Sequence, residues 1–255
     1  MAQALLSDIR NLSRRKARRR RGLAVLEGAR LIREAMEAGA RFRGVIVRAD
    51  AVTEQVNLLL EALGERAIGV EQVAAQEFDS VAATDRPQGI IAVAEHPNWT
   101  YAEIANGDAP ILIVDAVQDP GNAGALIRTA YCLGASGVVM LDGAVDLLNP
   151  KVLRAAMGAT YRMPVICSAF DGLRSFLRER GLEVWTGSAA GRDVRRMHRT
   201  GRVAIVVGNE GAGVRAEFRE MGAKNVLIPL ARGAESLNVA VAAGILLYEV
   251  NLARK

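Results

Sequence analysis

The order of apolar and polar segments along this chain of 255 residues predicts an α/β protein with two domains. Short runs of branched aliphatic residues alternate with segments of helical periodicity along the whole chain. The stretch 97–110, which contains Pro, Asn and Gly residues in close succession, interrupts this alternation and is predicted to be a linker. Hydrophobic residues make up 51% of the chain and aromatic residues 4%, a composition that suits closely packed aliphatic layers.

The first predicted domain, residues 1–96, is a small α/β unit. Thr53 is expected to cap one of its helices and Gly39 to end another, because these residue types favour such positions. Its strands are predicted at Leu23–Glu27, Gly44–Arg48, Ile68–Val70 and Gly89–Ala94, and its helices at Ala29–Ala38, Thr53–Leu63 and Gln72–Ala82.

The second predicted domain, residues 111–255, has the pattern of a doubly wound parallel sheet. A ligand site is therefore expected beyond the carboxyl ends of its strands. The strands are predicted at Ile111–Val117, Gly137–Leu141, Val165–Ser168, Glu183–Gly187, Val203–Val207 and Asn225–Leu230, and the helices at Ala123–Leu133, Pro150–Gly158, Gly172–Arg180, Val214–Met221 and Ser236–Leu252.

The charge is concentrated near the N-terminus. The formal net charge is +5, and eight Lys or Arg residues with no acid lie between Arg10 and Arg21. Such a run neutralises phosphates and is typical of nucleic-acid binding, so we predict contact with RNA. A solvated, disordered tail is the alternative.

Metal, disulfide and membrane functions are not predicted. Cys132 and Cys167 are far apart in the sequence, and His96 and His198 have no partners at ligand spacing. The apolar stretch 237–250 is too short to span a membrane. The start of the chain lacks the apolar core of a secretory signal, so we predict a cytoplasmic protein, with an organellar transit peptide as the alternative.

Three stretches after predicted strands contain the candidate site. Asn122 is expected to cap the helix that contains Arg128, and Ser236 to cap the last helix, which contains Asn238. Between them, residues 208–213 form a glycine-rich turn after a strand. Its glycine order is the reverse of a dinucleotide fingerprint, and Glu210 would repel a pyrophosphate, so a nicotinamide cofactor is disfavoured.

In combination and order these stretches resemble the motif set of the SpoU/TrmH family of the SPOUT superfamily, whose members are 2′-O-ribose RNA methyltransferases. The segment 149–159 is similar to the family's helix after its second strand, and residues 1–96 resemble its small N-terminal RNA-binding domain. The matching motifs are Asn122-x-Gly124-x-x-x-Arg128, Gly208-Asn-Glu-Gly211 and Ser236-Leu-Asn-Val-Ala240.

The resemblance implies a C-terminal domain threaded into a trefoil knot, a homodimer, and S-adenosyl-L-methionine as methyl donor without a metal. The implied catalytic residue is Arg128, with supporting roles for Asn122, Glu210, Ser236 and Asn238. Because a guanidinium is a poor base, we expect Arg128 to bind a phosphate and the developing alkoxide. The implied cofactor-binding residues are Thr186, Gly187, Gly208, Asn209, Gly211, Ile228, Leu230 and Leu237.

The substrate implied by the resemblance is structured RNA, and we favour 23S ribosomal RNA over transfer RNA. Two other classes stay open: an RNA-binding assembly factor of the same fold without activity, and a nucleotide-dependent enzyme such as a dehydrogenase. The presence of Asn122, Arg128 and Glu210 disfavours the first, and the reversed glycine order disfavours the second.

Overall fold

A computed structural model describes residues 2–51, 53–232 and 234–252. The strands are β1 (Leu23–Glu27), β2 (Phe42–Arg48), β3 (Val70–Val73), β4 (Ile90–Glu95), β5 (Ile111–Val114), β6 (Gly137–Leu141), β7 (Val165–Ser168), β8 (Glu183–Asp193), β9 (Val203–Val207) and β10 (Lys224–Leu227). The α-helices are α1 (Ala2–Leu12), α2 (Arg15–Arg21), α3 (Ala29–Glu37), α4 (Glu54–Glu65), α5 (Ala75–Asp79), α6 (Tyr101–Ala105), α7 (Pro120–Cys132), α8 (Pro150–Ala156), α9 (Ala159–Arg162), α10 (Phe170–Glu179), α11 (Glu217–Glu220) and α12 (Val239–Leu252).

The first compact unit consists of Met1–Asn98 together with Leu148–Tyr161. Its sheet has the order β1-β4-β2-β3, in which β4 is antiparallel to both β1 and β2, and β3 is parallel to β2. The segment 148–161 belongs to this unit although the 49 residues from Trp99 to Leu147 separate it from Asn98. Its helix α8 packs on β1.

The basic N-terminal stretch forms two helices in this unit, so the alternative of a disordered tail is wrong. Helix α1 buries Leu5, Leu6, Ile9 and Leu12, which recur at intervals of three and four residues and join the same core cluster as Val25 of β1. A short link then leads into α2, which ends at Gly22 in the left-handed conformation. The apolar face of α1 is therefore what holds the basic segment in place.

The second unit consists of Trp99–Leu147 and Arg162–Lys255, and its sheet has the order β10-β8-β9-β5-β6-β7. All five neighbouring pairs of strands are parallel. Strands β5, β6 and β9 are buried along their whole length, as expected for the centre of a sheet that is covered on both faces. The predicted doubly wound α/β fold is confirmed.

Several predicted element ends are wrong, and local chemistry explains each difference. The linker is not wholly irregular, because Thr100 and Glu103 form a capping box that starts α6. The helix predicted at 214–221 shortens to α11 because Arg215 is held outside it by side-chain bonds described below. The helix predicted at 150–158 ends earlier because Met157 adopts the left-handed conformation.

In the described part of the chain, no helix is long and apolar enough to cross a membrane. The same residues contain no group of three His, Cys, Asp or Glu side chains placed to hold a metal ion.

Candidate active site at the carboxyl edge of the second sheet

The predicted site residues follow the carboxyl ends of three neighbouring strands or lie within a fourth, β8. In the sheet order β10-β8-β9-β5 these ends meet at one edge, because all four strands are parallel. Ile228 and Leu230 follow β10, Thr186 and Gly187 lie within β8, Gly208 to Gly211 follow β9, and Asn122 follows β5.

The loop after β5 ends in a cap different from the one predicted. Asp119, not Asn122, is the N-cap of α7, and its Oδ1 accepts a hydrogen bond of 2.7 Å from the backbone N–H of Asn122. Asn122 is instead the third residue of the helix. The sequence does contain the signal, since Asp119 is followed by Pro120, a residue that favours the first helical position. Asn122 thereby keeps its own side chain free for other contacts.

The glycine-rich turn after β9 is a closed loop with Glu210 in it. The backbones of Asn209 and Gly213 exchange two hydrogen bonds, and Oδ1 of Asn209 accepts from the N–H groups of Gly211 and Ala212 at 2.9 and 3.0 Å. A Cβ on Gly208 would lie 2.2 Å from the carbonyl oxygen of Gly213, so no side chain fits there. The loop is therefore rigid, and it presents the exposed Glu210.

A chain of side-chain amides joins the three motifs. Nδ2 of Asn122 donates to Oε1 of Glu210 at 2.5 Å, and Nδ2 of Asn238 donates to Oδ1 of Asn122 at 2.8 Å. A carboxylate only accepts hydrogen bonds, so Asn122 must turn its NH₂ group toward Glu210 and its carbonyl oxygen toward Asn238. The fold thus brings Asn122 into direct contact with two residues that follow it by 88 and 116 positions in the sequence.

Asn238 ends this chain by capping the last helix, which corrects the prediction for Ser236. Its Oδ1 accepts from the N–H of Ala240 at 2.9 Å and from that of Val241 at 3.4 Å, and α12 begins at Val239. Ser236 lies two residues earlier in an exposed loop. Among the described residues the Ser236 hydroxyl has no hydrogen-bond partner, so it is available to a ligand.

Arg128 is exposed on α7, six residues after Asn122. Side chains on a helix lean toward its N-terminus, so the Arg128 side chain leans toward the end of α7 that carries Asn122. Within the described ranges Arg128 makes no hydrogen bond and no ion pair. Its positive charge is therefore not used to stabilise the fold.

An ion pair that the sequence interpretation missed anchors the glycine loop. Asp115, 1% exposed at the end of β5, accepts hydrogen bonds of 2.8 Å from the backbone N–H and from Nε of Arg215. Nη2 of Arg215 also donates to the carbonyl oxygen of Asp142 after β6, at 3.0 Å. The far end of the glycine loop is thereby tied to two further strands. The one sequence signal for this pair is a charged residue directly after an apolar strand.

Ala116, next to Asp115, holds a left-handed conformation with φ of 55°, which costs free energy in a residue with a side chain. Its carbonyl oxygen accepts a hydrogen bond of 3.3 Å from Nδ2 of Asn209. This hydrogen bond links the backbone of the loop after β5 to a side chain of the loop after β9.

The predicted cofactor residues offer close backbone and exposed apolar groups. The buried Thr186 hydroxyl donates to Oδ1 of Asn225 at 2.7 Å and so stabilises the sheet. A Cβ on Gly187 would make an ordinary contact of 3.4 Å with Cδ1 of Leu246. Leu230 and Leu237 are 36% and 37% exposed. Apolar surface here fits a flat aromatic ligand such as adenine.

The site has the features needed to handle a phosphate-bearing substrate and a partly cationic ligand. The N-termini of α7 and α12, which favour negative charge, are joined by the Asn122–Asn238 hydrogen bond, and Arg128 adds a free cation. Glu210 supplies one carboxylate for a positively charged group. On a doubly wound parallel sheet, this arrangement defines a group-transfer enzyme that acts on nucleic acid.

Comparison with known proteins identifies the family. The family model described as "SpoU rRNA Methylase family" matches residues 109–248, and the "MRM3-like substrate binding domain" matches residues 5–92. The chain belongs to the SpoU rRNA methylase family.

Relatives and solved structures agree with this assignment. The chain is 34% identical to the 23S rRNA (guanosine(2553)-2'-O)-methyltransferase RlmP of Bacillus subtilis, over 96% of this chain and 95% of the relative. It is 34% identical to the 23S rRNA (guanosine-2'-O-)-methyltransferase RlmB of Xanthomonas campestris, over 81% and 87% of the two chains. The crystal structure of the SpoU methyltransferase AviRb from Streptomyces viridochromogenes with the cofactor AdoMet superposes with a TM-score of 0.87, at 27% identity and 98% coverage of both chains.

Proposed function

We propose that this protein transfers a methyl group from S-adenosylmethionine to a ribose 2′-hydroxyl of 23S ribosomal RNA. The observation that carries the proposal is the amide chain from Glu210 through Asn122 to Asn238, which joins three separate motifs. Asn122 shares α7 with Arg128, which has no hydrogen-bond or ion-pair partner among the described residues. The names of the relatives support the substrate class.

The loops after β8, β9 and β10 would hold the cofactor. Leu230 and Leu237 would contact its adenine, and Gly187, Gly208 and Gly211 would let the backbone approach it closely. Thr186, Asn209 and Ile228 complete the proposed set, mainly by shaping these loops. When bound, S-adenosylmethionine supplies a methyl group already activated as a sulfonium, so the reaction needs no metal.

The protein has to align the 2′-oxygen and stabilise the charge that develops on it. Arg128 would bind the adjacent phosphate and the developing alkoxide, because its guanidinium donates several hydrogen bonds in a fixed geometry and is a poor base. The proton of the hydroxyl would pass to a neighbouring phosphate oxygen or to water. Asn122, Glu210, Ser236 and Asn238 would orient Arg128, the ribose and the cofactor.

We further propose a homodimer, a trefoil knot in the second unit and a cytoplasmic location. Exposed apolar side chains on α7 and α12 support the dimer: Tyr131 is 41% exposed, Val241 51% and Tyr248 54%. Such side chains are typical of an interface that a second copy covers. Family membership supports the knot, and an RNA substrate supports the location.

The test is transfer of tritiated methyl from S-adenosylmethionine to unmodified 23S transcript, to bulk transfer RNA and to DNA. We expect label in the 23S transcript, with the modified phosphodiester resistant to alkaline cleavage. Label in transfer RNA alone would show that transfer RNA, and not 23S ribosomal RNA, is the substrate. Cofactor binding with no transfer to naked RNA or to ribosomal particles would favour the inactive assembly factor.

Arg128→Ala should lower kcat by about 100-fold or more, because it removes a donor to the developing charge. Calorimetry should show cofactor binding close to that of the parent, since Arg128 makes no described contact with the proposed cofactor residues. The matched control is Arg178→Ala, which changes an exposed arginine of α10 and should leave kcat unchanged. Normal turnover by Arg128→Ala would contradict the assignment.

A further inference from the structure

The basic stretch from Arg10 to Arg21 contains two kinds of cation. Four of its arginines, Arg19 among them, interact with other residues of the chain. Nη2 of Arg10 donates to the Ser80 hydroxyl, and Arg21 makes two hydrogen bonds of 2.7 and 2.9 Å to the carboxylate of Asp8. Arg18 is 5% exposed and donates to the carbonyl oxygens of Leu12 and Ser13 at 2.9 and 2.7 Å.

A second set is not used by the fold. We define the N-terminal cationic face as Arg14, Arg15, Lys16 and Arg20, all of which are exposed. Among the described residues, none of these four side chains has a hydrogen-bond or ion-pair partner. The single acid in the first 26 residues, Asp8, is already paired with Arg21.

The position of three of these cations is unfavourable for the helix itself. Arg14 is the N-cap of α2 and Arg15 and Lys16 are its first residues, while its first turn contains no acid. The N-terminus of a helix carries partial positive charge, so cations there are repelled, and Lys16 and Arg20 repel each other four residues apart. Stability of the helix therefore does not explain these residues, whereas a bound polyanion does.

The chemistry of this face suits the nucleic-acid backbone and not the bases. The first aromatic residue of the chain is Phe42, so neither α1 nor α2 carries a ring on which a base can stack. Arginine and lysine without such partners contact phosphates, which positions an RNA without reading its sequence. We infer that the N-terminal cationic face is a sequence-independent phosphate anchor for the RNA substrate, and that Arg10, Arg18 and Arg21 take no part in it.

This inference rests on the proposed function for its ligand, and RNA binding tests it separately from catalysis. The variant R14Q/R15Q/K16Q/R20Q is compared with R86Q/R178Q/R180Q/R219Q, which removes the same charge from exposed arginines elsewhere. The probes are a 23S-type hairpin transcript and a second hairpin of equal length with a scrambled sequence. Binding of each is titrated at several salt concentrations.

We expect the cationic-face variant to bind both hairpins on the order of 10- to 100-fold more weakly at 0.15 M salt, with a salt slope reduced by roughly 3. Its melting temperature should equal or exceed that of the parent, and the matched control should keep the parental slope. Arg18→Gln should do the opposite, lowering the melting temperature while leaving the salt slope near the parental value.

A parental salt slope in the cationic-face variant would overturn the inference, as would a loss confined to one hairpin sequence. Failure of the proposed function looks different. A parent that binds both hairpins with a steep salt slope but transfers no methyl group would contradict the enzyme and leave the anchor intact.

Discussion

Asn238 has two roles that depend on different atoms of one side chain. Its Oδ1 caps α12 through Ala240 and Val241, and its Nδ2 holds Asn122 in the orientation that Glu210 requires. Asparagine and aspartate have the same shape, but aspartate lacks the donor. A change to aspartate therefore keeps the cap and removes the link to the other motifs.

We expect Asn238→Asp to retain the parental melting temperature or raise it, because a carboxylate at a helix N-terminus is favourable. The rate of methyl transfer should fall by about 10- to 100-fold, because a carboxylate next to Oδ1 of Asn122 turns that amide away from Glu210. Steady-state kinetics and thermal melting measure the two effects.

The matched control is Asn149→Asp, since Asn149 caps α8 in the same way, through the N–H of Lys151 at 2.9 Å. Asn149 belongs to the first unit and the amide chain to the second, so its change should leave the rate unaltered. A parental rate in Asn238→Asp would show that the amide chain does not support catalysis.

At the scale of elements, α7 and α12 lie side by side in the same direction. Their first residues are joined by Asn238 and Asn122, and Nδ2 of Asn251 donates to the carbonyl oxygen of Leu133 at the other end, at 2.6 Å. Between them, a Cβ on Gly244 would lie 3.2 Å from Cγ2 of Thr129, so the helices are in close contact. Both N-termini are thereby fixed at the site.

The Asp115–Arg215 pair fixes the glycine loop against the sheet in a similar way. We expect Arg215→Gln to destabilise the fold by about 3 kcal/mol, because it leaves the buried carboxylate of Asp115 without a cationic partner. Methyl transfer should also fall, because the loop that contains Glu210 loses its anchor. Urea unfolding and kcat measure the two losses.

Two further variants distinguish positioning from stability. The double variant Asp115→Asn/Arg215→Gln removes the buried charge and should recover much of the stability. It should not recover the rate of methyl transfer, because the hydrogen bonds from the Arg215 side chain to Asp115 and Asp142 are still absent. Arg215→Lys keeps the charge without the planar fork and should also be slow. If the double variant recovers rate and stability together, the pair has a structural role alone.

The elements also show which parts of the fold could be predicted from the sequence. Strands β6, β7 and β9 have the predicted bounds, because continuous apolar runs after Gly or Pro are a local signal. The start of α12 was placed wrongly because Ser236 and Asn238 are both good caps, and tertiary contact with Asn122 decides between them. The Asp115–Arg215 pair joins residues 100 positions apart, which no local pattern reveals.

At the scale of the molecule, the first unit is built from two separate segments of the chain. Local sequence patterns do not place the segment 148–161 in this unit. The segment packs tightly there, since a Cβ added to Gly158 would lie only 2.4 Å from Cβ of Glu34. The rings of His96 and Tyr161, one from each segment, lie 5.3 Å apart. Tyr161 is buried and His96 is partly buried, and among the described residues neither the inaccessible Nε2 of His96 nor the Tyr161 hydroxyl has a hydrogen-bond partner.

Burial disfavours the charged imidazolium and lowers the pKa of His96 to about 4, although the carbonyl oxygen of Pro97 partly opposes this. In the unfolded chain the pKa returns to about 6.5. Between these two values the unfolded state binds more protons, so unfolding becomes easier as the pH falls. The stability that His96 contributes is complete above pH 6.5 and is lost progressively as the pH falls through 4.

We therefore expect the free energy of unfolding of the parent to drop by about 2 kcal/mol more than that of His96→Phe between pH 7.5 and pH 5. Phenylalanine keeps a ring against Tyr161 but cannot titrate, and all other ionisable groups cancel in the comparison. The urea midpoint of the first unit at both pH values provides the measurement. Parallel losses in the two proteins would mean that His96 is reached by solvent and that the two segments of the first unit are not closed over it.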